Sequence, residues 1–331
     1  MTTFQAVRIR RGDQAEFSCS LESIPESSLE GSGVLIDVHY SGLNYKDALS
    51  AAGNPGVSRN FPHTPGIDAA GVVRHDPSGR FSPGQRVLVS GYDFGMNTSG
   101  GLAEVCSAPD NWVCECPESL TLFDAMLFGT PGLTVAQALD KLQRLTPHAD
   151  GEKFVISGAS GAVGSLATVL ARHAGFEVVA LTGKRHLYPL LQRLGASECL
   201  PASEWTEANS KALLKPQWRY GLDTLGGEVL LNMLKATERE GAIASCGLAL
   251  SPEFSASVYP FILRGVSMLG VDSAEQPLAY KQSLWRTLAE VPLTLELRDS
   301  LAREISLAQV PDYLAAMLRG QGQGRVVVKI R

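Results

Sequence analysis

No stretch of this 331-residue chain is apolar for long enough to cross a bilayer, and the opening Thr2-Thr3-Phe4-Gln5-Ala6-Val7-Arg8 lacks a secretory hydrophobic core. The cytoplasm is the expected compartment. Excess positive charge is also missing. With 29 Lys and Arg against 34 Asp and Glu, the formal net charge is −5, so the chain as a whole is not drawn to nucleic acid or anionic lipid. An anionic ligand has to be caught by a local basic cluster. Cysteine is sparse: Cys19, Cys106, Cys114, Cys116, Cys199 and Cys246 are scattered without the rhythm of a disulfide framework. The one close pair, Cys114 and Cys116, is spaced too tightly for a zinc knuckle or a redox dithiol, and strand alternation puts both thiols on one face, so it reads as structural. His63, His75, His148, His173 and His186 have no Cys or acid partner that would make a triad or metal site and read as surface residues, while His39 reads as packed within a strand. There is no Ser-His-Asp set, P-loop, internal repeat or low-complexity segment.

What is present is a length and an apolar content, 44%, sufficient for two cores. Residues 1–124 carry short alternating strands at 4–9, 34–40, 70–73, 86–89 and 103–107, broken by Gly and Pro, which predicts a compact β-rich domain. From residue 125 the texture changes. A helix over 125–145, broken at Pro131-Gly132, precedes fully apolar strands at 152–157, 176–181, 221–225, 242–246 and 266–271. These predict an α/β, doubly wound parallel sheet over 125–273. Helices at 280–288 and 310–318 and a closing strand at 326–330 follow, and that strand most simply returns to the first domain, so 1–124 and 274–331 are expected to form one unit. Residues 319–325 read as a flexible, basic-ended loop. Residues 254–259 and the strand at 266–271 are expected to leave an apolar strand at the edge of the parallel sheet, where an uncovered edge invites a two-fold homodimer.

The most informative run is Val155-Ile156-Ser157-Gly158-Ala159-Ser160-Gly161-Ala162-Val163-Gly164, an apolar strand entering a glycine-studded turn and then a helix that ends near Gly175. Small residues at Ser160, Gly161 and Ala162 let backbone N–H groups approach a phosphate. The helix beginning near Val163 aims its positive dipole end there, and Gly164 permits close helix–strand packing. Ala-x-Gly-x-x-Gly alone is a weak signal that a tight turn in an unrelated α/β domain also produces; the strand at 176–181 completes a βαβ unit and favours a dinucleotide. After that strand an NAD site usually places Asp or Glu for the ribose hydroxyls, whereas this chain has Thr182-Gly183-Lys184-Arg185. A hydroxyl, a backbone N–H and two cations suit the extra phosphate of NADPH, each charge-assisted contact being worth about 1.5–3 kcal/mol. A solvated basic loop has the same composition.

Beyond these readings, the chain resembles the medium-chain dehydrogenase/reductase superfamily over essentially its full length, and within it the zinc-independent, quinone-reductase-like branch that includes bacterial NADPH-dependent acrylyl-CoA reductases. The resemblance is carried by Ser41-Gly42-Leu43-Asn44-Tyr45-Lys46-Asp47-Ala48-Leu49, Arg59-Asn60-Phe61-Pro62, Pro65-Gly66-Ile67-Asp68, residues 157–164 with Thr182-Gly183-Lys184, and Pro260-Phe261-Ile262-Leu263-Arg264 with Gly270-Val271-Asp272-Ser273. It implies a GroES-like β-rich catalytic domain and a Rossmann NADPH-binding domain. Zinc-dependent relatives carry Cys at Asn44, Gly-His-Glu at Gly66-Ile67-Asp68 and a further Cys near Thr130. An amide, an alkyl group and a hydroxyl do not make a catalytic zinc site, so no metal is expected.

The resemblance places Tyr45 beside the nicotinamide as proton donor or enolate hydrogen-bond partner, with Asp47 and Lys46 as its neighbours. Tyr45 as a packing aromatic is the alternative, and Tyr92 is a second aromatic candidate. Leu88, Leu248, Ile262 and Ser273 match positions that line the NADPH site in such reductases, though the apolar ones could equally be core. Glu198 stands where an Arg is expected from close relatives, which predicts a weaker grip on the phosphate, and Pro131 replaces a small residue. The implied activity is NADPH-dependent reduction of the C=C bond of an α,β-unsaturated thioester, acrylyl-CoA to propanoyl-CoA. The alternatives are a quinone or enone/enal reductase and, in another class, an NADPH-binding sensor or structural protein with little turnover.

Overall fold

In the computed structural model, which describes residues 2–14, 16–29, 33–145, 150–207, 209–322 and 324–331, the chain divides into two units. One comprises Met1–Thr130, Ser273–Leu293 and Ala302–Arg331, the other Pro131–Asp272 and Thr294–Leu301. His148 and, within the 319–325 segment, Gln323 lie outside the described residues.

In the first unit, β1 (Thr3–Arg11) pairs antiparallel with β2 (Phe17–Pro25). β2 is missing from the sequence reading because its alternation is between half-buried and exposed residues, with none fully buried. Strands β3 (Val34–Gly42), β4 (Asp68–His75), β5 (Arg86–Ser90), β6 (Val105–Ala108) and β7 (Val113–Glu115) are joined by β14 (Ala302–Ser306) and β15 (Arg325–Lys329) from the tail. Their order is β14-β15-β3-β4-β5-β7, with β6 also on β3. β15 lies antiparallel to β3 with Val328 opposite Ser41, so the C-terminal strand belongs to the N-terminal sheet. Inward-facing Val34, Ile36, Val38, Phe81, Val87 and Val113 form one core. A second packs Val7, Leu43, Leu102 and Val328 against Val310 and Leu314 of helix α9 (Val310–Leu318). Helix α1 (Tyr45–Ala51) follows β3, and α7 (Leu278–Ala289) lies against β7.

Helix α2 (Leu122–Leu145) breaks at Gly129, whose φ of 49° and ψ of −154° are not helical. The break therefore precedes the expected Pro131-Gly132. Pro131 instead opens the second helical half, where its missing N–H leaves no bond unmade.

The second unit is a parallel sheet of β8 (Lys153–Ile156), β9 (Glu177–Thr182), β10 (Ala196–Pro201), β11 (Trp218–Asp223), β12 (Thr237–Ser245) and β13 (Ser267–Gly270), in the order β10-β9-β8-β11-β12-β13. The crossovers between its strands use α3 (Ala162–His173), α4 (Tyr188–Arg193), α5 (Gly227–Lys235) and α6 (Tyr259–Arg264), while α8 (Leu295–Leu301) joins from the tail. The central strands carry short buried apolar runs, 154–156, 178–181 and 242–244, because both faces are covered there: Val155, Val179, Trp218, Ile243, Leu234 and Val266 share one core. β10 escapes the sequence reading as an edge strand with exposed Ser197 and Glu198 and no apolar run. Among the described residues no helix is long and apolar enough to cross a membrane.

Candidate functional site

Two residue groups, one in each unit, are the candidates for chemistry. In the parallel sheet, β8 ends at Ile156 and the chain turns through Gly158 (φ +60°) into α3, with Gly161 as its N-cap. The first turn of α3 starts with N–H groups that have no helical acceptor and that point out of the helix end. A Cβ on Gly164 would stand 2.4 Å from the Gly158 carbonyl oxygen, so only glycine lets the helix approach the turn this closely. The Ser160 and Thr182 hydroxyls are 2.8 Å apart, and Thr182 Oγ1 also accepts the Lys184 N–H at 3.1 Å. This joins the α3 turn to the end of β9. Gly161, Gly183 and Arg185 are exposed, with Ala162, Val163 and Lys184 half-buried, and the stretch 182–186 contains no acid. The donors, the dipole and the cations fit a bound anion without competition from a carboxylate.

Glu198 stands apart from that arrangement along the strand. In the β9–β10 register it sits opposite Val179, three residues before the Pro201–Thr182 pair, which is about 10 Å along the strand. Its carboxylate is 3.5 Å from Lys153 Nζ. At the other end of the sheet, Leu248 and Ile262 are exposed at 66% and 68%. A cavity of about 590 Å³ opens beside Leu248, with Gly226, Ser245, Cys246, Phe254 and Met268 among its lining.

In the first unit, Tyr45 opens α1 and is 57% exposed, with exposed Lys46 beside it. Asp47 turns the other way. Its fully buried carboxylate accepts the N–H groups of Asn44, Gly66 and Ile67 at 2.8, 3.1 and 3.0 Å, which fixes the start of α1 against the Gly66 turn. Burial pushes the Asp47 carboxyl up to about 7, and the nearby Asp68 adds to the rise against the pull of those three donors. Asp47 thus holds Tyr45 in place and presents no free carboxylate.

Behind α1, two of the three positions that bear zinc ligands in zinc-dependent relatives, Asn44 and Thr130, both bond to Asp68. Asp68 Oδ2 accepts from Asn44 Nδ2 at 2.7 Å and from the Thr130 N–H at 2.9 Å, and Oδ1 accepts the Thr130 hydroxyl at 2.7 Å. A buried cation lies beside them: Arg325 donates to the carbonyls of Leu43, Met126 and Leu127 at 2.8–2.9 Å. Burial lowers the Arg325 pKa, while Asp68 and Asp47 favour its charged form. Gly129 is required here as well, since a Cβ would stand 2.7 Å from both Arg325 Nη2 and Asp68 Oδ2. An amide and a hydroxyl that already donate, an alkyl side chain at Ile67 and a guanidinium nearby do not fit a zinc ion.

Several expectations need correction. Leu88 is core: it is fully buried within β5, opposite Ala70 and Cys114, and offers no surface to a ligand. His63 is buried, not on the surface; its Nε2 lies 2.9 Å from the Ser50 hydroxyl, and burial lowers its pKa to about 4. Arg325, read as the end of a flexible loop, is the buried first residue of β15. Tyr92 has a left-handed φ of 55° and donates its hydroxyl to the Gln276 carbonyl at 2.8 Å. Ser273 is half-buried where the chain re-enters the first unit. Arg325 left one signal in the sequence, a charged residue directly before the apolar run Val326-Val327-Val328.

Family models match two segments: "Alcohol dehydrogenase GroES-like domain" over residues 30–118 and "Zinc-binding dehydrogenase" over 162–290. The chain is 39% identical to "Probable acrylyl-CoA reductase AcuI" of Escherichia coli (strain K12), covering 94% of this chain and 95% of that one. It is 36% identical to "Putative quinone oxidoreductase YhfP" of Bacillus subtilis (strain 168), over 99% of both. Among solved structures, the yhdH oxidoreductase of Salmonella enterica, crystallised with NADP, matches with a TM-score of 0.93 and 38% identity, over 99% of this chain and 100% of that one.

Proposed function

Because this chain belongs to the medium-chain dehydrogenase/reductase superfamily, we propose that it is an NADPH-dependent oxidoreductase that reduces the C=C bond of an α,β-unsaturated thioester such as acrylyl-CoA, without a metal. The observation that carries this reading is the pairing of an acid-free phosphate site at Thr182–Arg185 with an exposed Tyr45 phenol standing on a network that does not suit zinc. The identity to the acrylyl-CoA reductase relative supports the thioester.

The first turn of α3 and the Thr182–Arg185 stretch would hold the phosphates of NADPH, which when bound would supply a hydride. Reduction of the C=C bond then calls for stabilisation of negative charge on the thioester oxygen and for a proton at the α-carbon. Tyr45 donates its phenolic hydrogen bond to the developing charge or its proton to the α-carbon. Asp47 fixes the helix end that carries Tyr45, through the Asn44, Gly66 and Ile67 N–H groups.

Steady-state NADPH oxidation with acrylyl-CoA, crotonyl-CoA and a simple quinone tests the proposal, with the highest kcat/KM expected for an acyl-CoA. A quinone outperforming both thioesters would support the second reading, favoured by the relative with a quinone-oxidoreductase name. Cofactor fluorescence quenching without turnover on the whole panel would point to a binding protein. Activity is expected to survive exhaustive chelation; stoichiometric zinc whose removal abolishes turnover would overturn the metal-free mechanism.

NADPH should be preferred over NADH by at least about tenfold in kcat/KM, and Lys184→Ala should shrink the ratio by removing one charge-assisted contact. Equal use of both cofactors by the unmodified enzyme would contradict the phosphate site. A two-fold homodimer is also proposed. β13 is the outer strand of the parallel sheet, and Val258, Tyr259, Ile262, Leu263 and Met268 in or near it are exposed. Apolar surface around an open strand edge favours pairing with a second copy. Light scattering at micromolar concentration should give twice the chain mass; a monomer would refute this assembly.

A further inference from the structure

Asp223 ends β11 fully buried, and no step assigned above uses it. Its carboxylate accepts four hydrogen bonds. Oδ1 takes the Ser157 hydroxyl at 2.7 Å and the Leu225 N–H at 3.1 Å, and Oδ2 takes the Gly226 N–H at 2.9 Å and the Ser245 hydroxyl at 3.4 Å. These donors come from three neighbouring strand ends. Ser157 follows β8, Leu225 and Gly226 follow β11, and Ser245 closes β12.

The main chain tightens the same knot. The Asp223 carbonyl accepts the Cys246 N–H at 3.0 Å. Ser157 Oγ accepts the Thr224 N–H at 2.8 Å, and the Thr224 hydroxyl donates back to the Ser157 carbonyl at 2.9 Å. Two glycines make room for this approach: a Cβ on Gly158 would stand 2.3 Å from Thr224 Oγ1, and one on Gly247 would stand 2.2 Å from the Thr224 carbonyl oxygen. Thr224 is thus gripped between the phosphate turn and the loop that carries Leu248.

The place of this knot in the sheet indicates what it serves. Strand order reverses between β8 and β11, and in a doubly wound sheet a dinucleotide crosses at such a reversal, its adenosine half over the first three strands and its nicotinamide half over the others. Asp223 stands at the reversal, and Ser245 and Gly226, which it holds, line the 590 Å³ cavity beside Leu248. Four converging donors need a side chain with two acceptor atoms and no donor, which a carboxylate supplies and an amide does not.

We infer that Asp223 is a positioning residue for the nicotinamide half of the cofactor, setting the ends of β11 and β12 against the Gly158 turn. The Thr182–Arg185 stretch shares no direct hydrogen bond with Asp223 among the described residues and meets the turn through Ser160, so the 2′-phosphate end of the site should be less affected than the nicotinamide end. The inference rests on the proposed NADPH site.

The test compares NADPH with 2′,5′-ADP, which keeps the adenosine with its 2′- and 5′-phosphates but lacks the nicotinamide, its ribose and the second phosphate of the bridge. In Asp223→Asn the amide must aim its NH2 at a backbone N–H whichever way it turns. Calorimetry should show the NADPH Kd raised at least tenfold while the 2′,5′-ADP Kd stays within twofold. The KM for NADPH should rise with kcat, at saturating cofactor, within threefold of wild type. Ser245→Ala, which removes one donor, should show the same asymmetry at about threefold, and it carries the test if the Asn variant does not fold. Equal weakening of both ligands would mean a purely structural role, and no weakening of either would mean no role; both overturn the inference. Wild-type protein that binds neither ligand would instead refute the NADPH site itself.

Discussion

Replacing Tyr45 with Phe is expected to lower kcat for thioester reduction by about tenfold to a thousandfold, roughly 1.4–4 kcal/mol of transition-state stabilisation. NADPH affinity should change little. The substitution removes one hydroxyl from an exposed ring at the start of α1 and leaves the Asp47 contacts that hold the helix end intact. The loss should therefore fall on the step in which charge develops, lowering kcat and kcat/KM together. Wild-type turnover in the variant, measured where hydride transfer limits the rate, would remove Tyr45 from the mechanism and leave exposed Lys46 or a water molecule as the proton source.

Arg325→Met is expected to destabilise the first unit by about 3–5 kcal/mol, because removing one member of a buried ionic cluster leaves the others uncompensated. A fall in Tm of very roughly 6–20 °C should follow for a unit of this size. Three carbonyls would lose their donor, and the buried Asp47 and Asp68 would lose their neighbouring cation. Met preserves volume, so the cost should come from charge and hydrogen bonding, with little from a cavity. Differential scanning calorimetry decides: an unchanged melting temperature would show that the cluster is not held together by Arg325.

The fold was legible where local pattern and burial coincide. The βαβ unit around Gly158 could be read because its covered strands carry apolar runs and the turn needs small residues. β2 and β10 were not, since both are edge-like strands whose exposed residues carry no core signal. At the candidate site, Thr182–Arg185 was proposed from the strand end and Tyr45 from the family resemblance, but neither could give the orientation of Asp47. Whether an acid beside a tyrosine points outward or caps its own helix depends on the distant Gly66–Ile67 turn. Arg325 was missed for the same reason: its acceptors lie about two hundred residues or more earlier in the chain. The distance of Glu198 from Thr182 depends on strand register, which one sequence does not fix.

The Asn44–Asp68–Thr130–Arg325 cluster also bears on what an engineered metal site would cost this scaffold. Cysteine at 44 and 130 would take from the buried Asp68 carboxylate the Asn44 amide and the Thr130 hydroxyl that now donate to it. A buried acceptor stripped of its donors is costly, so a designer would have to supply Asp68 with new partners before any ion could be seated.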